Sequence, residues 1–238
     1  MTSTRPLLPH ETAPIASGAY QWLADGTPLP ITERWRILRA ASGYLFTTET
    51  DALQVVEFGH RYTATLSIDE SGRATALAMS VTKGADTMDV SANLEADAAV
   101  ITRVLSSTAG GAVQRTQPFR MEAGYTIEAH PVLFDGLHIA AIDRAASGPH
   151  RRPCLWLDLL THETSGLMAA WPTVYVINRR LSGSRETFAI TRWGNDVEMA
   201  ESLITVKDVG RWVVPTEFRF TMAGVLYAVR LAEERWEE

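Results

Sequence analysis

Apolar and polar residues alternate with a period of two along much of this chain, and the longest such run is Thr187 to Leu231. Phe188 and Ile190 alternate with Ala189 and Thr191, and Val197 and Met199 flank Glu198. Ile204 and Val206 lie between Leu203, Thr205 and Lys207, while Val225, Tyr227, Val229 and Leu231 share one face. Trp193-Gly194-Asn195-Asp196 and Asp208-Val209-Gly210-Arg211 are groups that turn a chain. Alternation of β-branched and aromatic residues between such turns predicts half-buried antiparallel strands. A strand that buries one side must pack it on a helix, a second sheet or a ligand.

The same pattern recurs upstream. It predicts strands over Gly18–Asp25, Ile31–Leu38, Tyr44–Thr50, Tyr62–Ile68, Ala74–Val81 and Met88–Leu94, with Leu53–Phe58 as a further short one. Asp69-Glu70-Ser71-Gly72 reads as a hairpin connection. In the middle, Leu94, Ala98, Ile101 and Leu105 fit a helix, while Val100, Thr102 and Val104 fit a strand equally well. Val113–Met121 and Val174–Ile177 read as strands, and Cys154–Leu160 as a central strand or short helix. His130–Ala146 is the best helix, with Pro131 suited to its first turn and Gly136 weakening it. The expected fold is mainly β: a curved antiparallel sheet or partly closed barrel of roughly ten strands, covered by one or two helices. Residues 1–17 are expected to form a mobile arm and 18–238 a single domain, with a loop at about 146–153.

Composition narrows the functional classes. With 238 residues and 46% hydrophobic content, the chain can bury a large core. A net charge of −6 disfavours non-specific nucleic-acid binding, which needs a basic face. No apolar run is long enough for a transmembrane helix, and Met1–Gly18 does not resemble a secretory signal. The expectation is a cytoplasmic protein, unless this is a mature form from which a leader has been removed. Cys154 is the single cysteine, so neither an internal disulfide nor a cysteine zinc cluster can form. Its apolar neighbours make it inert core.

The common catalytic and nucleotide-binding signatures are absent from the sequence. His130 and His138, with His162, can be drawn as a zinc site. No two histidines lie at the i, i+4 spacing of a ligand pair, so surface or capping roles are expected and no metal or cofactor is called for. Glu57 and His60 flank a turn and are expected to be exposed, and Glu217 and Arg219 to face solvent. Glu33 shares a strand face with Trp35. If it points inward, its pKa should rise, or an arginine such as Arg179, Arg192 or Arg219 should pair with it.

Aromatic residues are the main positive signal. Trp22, Trp35, Trp193 and Trp212, with Glu33, Tyr44 and Tyr62, are the candidate ligand-binding residues; Trp156 and Trp171 also lie on predicted strands. On a concave sheet they can fill the core or line an apolar pocket.

Four segments in order, Gly18-Ala19-Tyr20-Gln21-Trp22, Glu33-Arg34-Trp35-Arg36-Ile37, Tyr62 to Gly72 and Pro215-Thr216-Glu217-Phe218-Arg219-Phe220, surround a less regular middle with a helix. This order of elements resembles the LolA/LolB-like half-barrel families, which include bacterial glycolipid-binding proteins. The resemblance covers most of the chain and supplies no catalytic residue. It implies a half-barrel holding a lipid-type ligand. Aromatic-rich alternating strands without a catalytic signature lead to the expected function, binding of a lipid or other apolar small molecule between sheet and helix. The alternatives are a motif-free cyclase or isomerase of an apolar substrate, and a structural or interaction protein, with a homodimer through exposed sheet edges as one form.

Overall fold

The computed structural model describes residues 13–237 apart from 57, 108–110, 163–165, 183–184 and 195–196; for 159–162, 182, 185, 194 and 197–200 it describes the backbone only. The first half of the chain is a meander of eight strands: β1 (Ala13–Ala24), β2 (Thr27–Ala40), β3 (Gly43–Asp51), β4 (Arg61–Ile68), β5 (Ala74–Lys83), β6 (Asp86–Leu94), β7 (Ala98–Ser107) and β8 (Ala112–Arg120). A short strand β9 (Thr126–Glu128) and the helix α1 (Val132–Ala140) follow. The second meander is β10 (His150–His162), β11 (Met168–Ser182), β12 (Arg185–Gly194), β13 (Val197–Val209), β14 (Trp212–Met222) and β15 (Val225–Trp236).

All fifteen strands form one sheet, ordered β8-β7-β6-β5-β4-β3-β2-β1-β15-β14-β13-β12-β11-β10-β9. The two meanders are joined where the first and last strands pair antiparallel, with Tyr20 opposite Leu231 and Trp22 opposite Val229. The sheet's outer strands, β8 and β9, are consecutive in sequence. Only residues 121–125 connect them, a span of at most roughly 20 Å. That span forces the sheet to curl towards closure, yet β8 and β9 do not pair. The parallel contact of β9 with β10 is the one exception to antiparallel order.

Burial follows the predicted period. Along β2, Ile31, Glu33, Trp35 and Ile37 are buried while Thr32, Arg34 and Arg36 are exposed. The inward faces of β2–β7 meet those of β10, β11 and β14 in one core that includes Trp35, Phe46, Leu66, Ile101, Leu155 and Val214. Arg103 also lies inside, donating to the Met168 carbonyl and to Gln117 Oε1, both at 2.6 Å. Thus a side chain of one meander satisfies the backbone of the other. The helix lies within the curl. Val132, Leu133, Phe134, Gly136 and Ile139 are all buried, as expected for a helix enclosed on every side.

Several expectations change. The described residues form fifteen strands rather than about ten. Residues 98–107 form a strand because β6 and β8 both pair with them. Residues 150–162 are likewise a strand, so Arg151, Arg152 and Pro153 belong to β10 rather than to a loop. Leu53–Phe58 is not a strand: Val55 N–H bonds to the Ala52 carbonyl, and Phe58 N–H to that of Val55, making successive turns. The helix is shorter than expected, with Pro131 immediately before it. Strand β1 begins at Ala13, inside the stretch assigned to the arm, while residues 1–12 lie outside the described residues.

Cys154 is fully buried between Ile139, Tyr175 and Ile177. Burial pushes its thiol well above the usual range. It should therefore resist 5,5′-dithiobis(2-nitrobenzoic acid) in the folded protein and react fully in denaturant. Rapid labelling without denaturant would contradict this placement.

Candidate binding cavity

A cavity of about 640 Å³ opens where the helix N-terminus meets the ends of β1–β4 and the second meander. One side is apolar. Trp22 stands edge-on to Phe58 at 5.3 Å and to Phe220 at 6.2 Å. Phe218, Met222, Ile31 and Ile190 continue that wall. The turn at 52–59 contributes Ala52 and Phe58, which is how a segment without regular structure comes to be buried.

Polar groups line the cavity as well. Arg192 lays its guanidinium over the Trp156 ring, 3.7 Å from the centroid. The buried N–H groups Arg192 Nε, Trp156 Nε1 and Trp22 Nε1 have no hydrogen-bond acceptor among the described residues. His130 meets the edge of Trp156, and its Nε2 is 3.6 Å from Asp158 Oδ1. Its backbone is left-handed, with φ of 69°, a costly conformation for a residue other than glycine. The His130 N–H donates to Glu128 Oε1 at 2.9 Å, which helps to hold that conformation.

His60 is buried and lines the cavity, contrary to its expected exposure. Its Nδ1 must donate to the Phe58 carbonyl at 2.8 Å, because a carbonyl only accepts. The neutral ring then carries its lone pair on Nε2. Burial lowers its pKa, and nearby His130 lowers it further.

Behind these residues lie three buried carboxyls. Glu33 does point inward, and no arginine pairs with it among the described residues. Its Oε1 accepts the Val132 N–H at 2.9 Å and its Oε2 the Tyr62 hydroxyl at 3.3 Å. Glu33 therefore caps the helix from a strand 99 residues away in sequence. Burial raises its pKa to about 8, against the lowering effect of the Val132, Tyr62 and Leu133 hydrogen bonds. Glu128, from β9, bonds through Oε2 to His138 Nε2 at 2.9 Å. The other nitrogen of His138 meets Thr126 Oγ1 at 2.7 Å. His138 is thus a fully buried partner, not a surface residue. The side chain of His162 lies outside the described residues. Asp135 is buried beside Glu128, and its pKa is raised by burial and by the charge and hydrogen bond of Glu128. Glu128 itself titrates low: burial pushes it upward, but the hydrogen bonds and charges of His138 and His130 together outweigh that effect.

No protein-family model and no curated protein matches the chain. The chemistry of the cavity is therefore read from its own geometry.

The candidate residues from the sequence separate into three places. Trp22 and Tyr62 line the cavity, and Glu33 sits just behind Tyr62. Trp35 is core, beside Tyr20 and Trp236. Tyr44 and Trp212 pack edge to face at 4.6 Å, with Arg211 over both rings, and neither reaches the cavity. Trp193 borders a separate groove with Arg120, Arg151 and Pro172. Glu217 is covered rather than solvated, with Arg219 and Arg230 each at 2.7 Å. Although burial pushes its pKa upward, these two guanidiniums hold it below the usual value. Glu128, Asp135, Tyr175 and Arg192 are functional candidates that strand alternation did not single out, while Trp156 joins the cavity from its predicted strand. The signal for Asp135 is the helix itself: with His138, three residues on, it interrupts an otherwise apolar segment.

Proposed function

We propose that the protein binds an amphipathic small molecule, with an apolar body and a hydrogen-bond-accepting end, in this cavity. The observation that carries the reading is the pairing of an aromatic wall with unmatched donors. Trp22, Phe58, Phe218 and Phe220 provide the apolar surface. Arg192 Nε and Trp156 Nε1 are buried without an acceptor among the described residues. Leaving such donors unpaired is costly, and a ligand oxygen would remove that cost. The volume falls within the range typical of small-molecule sites. A lipid or glycolipid, the ligand type implied by the half-barrel resemblance, has this division between apolar body and polar end.

The enzymatic alternative is less well supported, because the carboxyl and tyrosine groups that would carry it have structural partners. The Tyr62 hydroxyl donates to Glu33, Glu33 caps the helix, and Glu128 holds His138 and His130.

Binding can be measured with 1-anilinonaphthalene-8-sulfonate, whose sulfonate supplies the acceptor oxygens. One site per chain is expected. Arg192→Met should weaken it about tenfold or more, the effect of losing one charge-assisted hydrogen bond. Native mass spectrometry of gently purified protein should show a co-purifying species. If there is no co-purifying species and the dye binds the variant as tightly as the native chain, the proposal fails.

A further inference from the structure

We infer that Glu128, Asp135 and His138 form a site for one divalent transition-metal ion at the back of the cavity. This goes beyond ligand binding and does not depend on it. The three residues offer one ligand atom each, and these atoms lie within 4.8 Å of one another. All three are more than nine-tenths buried, at 4%, 6% and 0% exposed.

The fold explains how they converge. Asp135 and His138 are one helical turn apart on α1 and face the same way. Glu128 arrives from β9, which is fixed by its parallel pairing with β10, where Glu128 lies opposite Trp156. His138 is oriented from behind by Thr126, the arrangement by which proteins fix a ligating imidazole. A threonine hydroxyl can donate or accept, so it suits the tautomer that frees Nε2 for a metal. Glu128 is oriented in the same way by the His130 N–H on its other oxygen.

Without a cation, the Glu128–His138 pair satisfies itself, but Asp135 is left unexplained. It is a buried carboxyl on an enclosed apolar helix, with its ligand oxygen within 4.8 Å of the ligand atoms of Glu128 and His138. No guanidinium or ammonium group bonds to Glu33, Glu128 or Asp135 among the described residues. Buried acids gathered in this way are normally matched by a cation or a metal. An ion would take the place of the hydrogen bond between His138 Nε2 and Glu128 Oε2 and bring Asp135 in as its third ligand. Glu128 and Asp135 both line the cavity, so the remaining coordination positions would face it. Water or a ligand oxygen could occupy them, as in sites with three protein ligands and an open position. One imidazole with two carboxylates favours zinc, iron(II), cobalt(II) or manganese over calcium and magnesium, which prefer all-oxygen sets.

The test uses the full chain, stripped with a chelator and titrated calorimetrically with Zn²⁺, Co²⁺ and Mg²⁺. One Zn²⁺ or Co²⁺ per chain is expected, with Mg²⁺ much weaker. Glu128→Gln, Asp135→Asn and His138→Gln should each weaken Zn²⁺ by about 100-fold, and Thr126→Val by about tenfold. His150→Gln, at the first residue of β10 and outside this cluster, should leave the affinity unchanged. X-ray absorption of the native Zn²⁺ complex should show one imidazole in a shell otherwise of oxygen, a readout that survives if a ligand variant misfolds. Absence of stoichiometric binding, unchanged affinity in folded variants of all three ligands, or two or more imidazoles in the shell would each overturn the site.

Discussion

Gly136→Ala is expected to destabilise the protein by about 3 kcal/mol or more, although alanine is the better helix former. Intrinsic propensity alone predicts a gain of about 1 kcal/mol from this change. Packing reverses the sign. A Cβ on Gly136 would lie 2.1 Å from the Val213 carbonyl oxygen and 3.1 Å from Pro215 Cδ. The first contact is with strand backbone, which has no rotamer through which to retreat. The helix must lift from β14, carrying the packing of Leu133 and Phe134 with it. It would also draw the Val132 N–H away from Glu33. For a chain of this size the loss corresponds to a fall in melting temperature of roughly 6–12 °C. Gly84→Ala is the control, because Gly84 has a φ of 60° but nothing within 4 Å of the added carbon. It should cost only about 1 kcal/mol. Equal melting temperatures for the two variants would mean that the helix does not sit against β14 in this way.

That glycine also shows where sequence reading reaches its limit. In a periodic pattern, Gly136 argues against a helix; in three dimensions it lets a helix approach a sheet. Alternation located most strands because one face of each is buried, as Tyr62, Ala64, Leu66 and Ile68 show on β4. It could not decide residues 94–107, because Leu94, Ala98, Ile101 and Leu105 satisfy both periods. Pairing with β6 and β8 decided them, and that pairing is non-local. The meeting of β1 with β15, and of Glu33 with the helix N-terminus, is non-local in the same sense.

The candidate site was partly legible for a related reason. The inward period identified Glu33 and Tyr62 together with Trp35 and Tyr44, since all lie on inner faces. It could not tell which part of a long inner face is filled by side chains and which is left hollow beside the helix. Trp35 and Trp212 fall in the filled part, and Trp22 borders the hollow. Glu128 escaped notice because three residues of strand are too short to show a period. It meets Asp135 and His138 only because β9 is fixed beside β10.

Glu33 should make the protein's stability fall as pH rises from about 4.5 to about 8. Its carboxyl is fully enclosed, and burial raises its pKa from 4.5 to about 8. Within that window the folded chain holds a proton that the unfolded chain has released. The stabilisation linked to this proton is fully present below the unfolded value and lost as pH climbs to the folded one. Glu33→Gln mimics the protonated acid: its oxygen can accept the Val132 N–H, and its amide can donate to the Tyr62 oxygen. The variant should come within about 1 kcal/mol of the native chain near pH 5. By pH 9 it should be the more stable by about 4 kcal/mol, an upper-range figure for one enclosed carboxyl. Glu33→Ala should be less stable than Glu33→Gln throughout, because it leaves the Val132 N–H buried without an acceptor. Urea unfolding followed by tryptophan fluorescence between pH 5 and pH 9 measures all three. Parallel curves for the native chain and Glu33→Gln would show that Glu33 stays ionised in the fold, with the donors at the helix N-terminus outweighing the cost of burial.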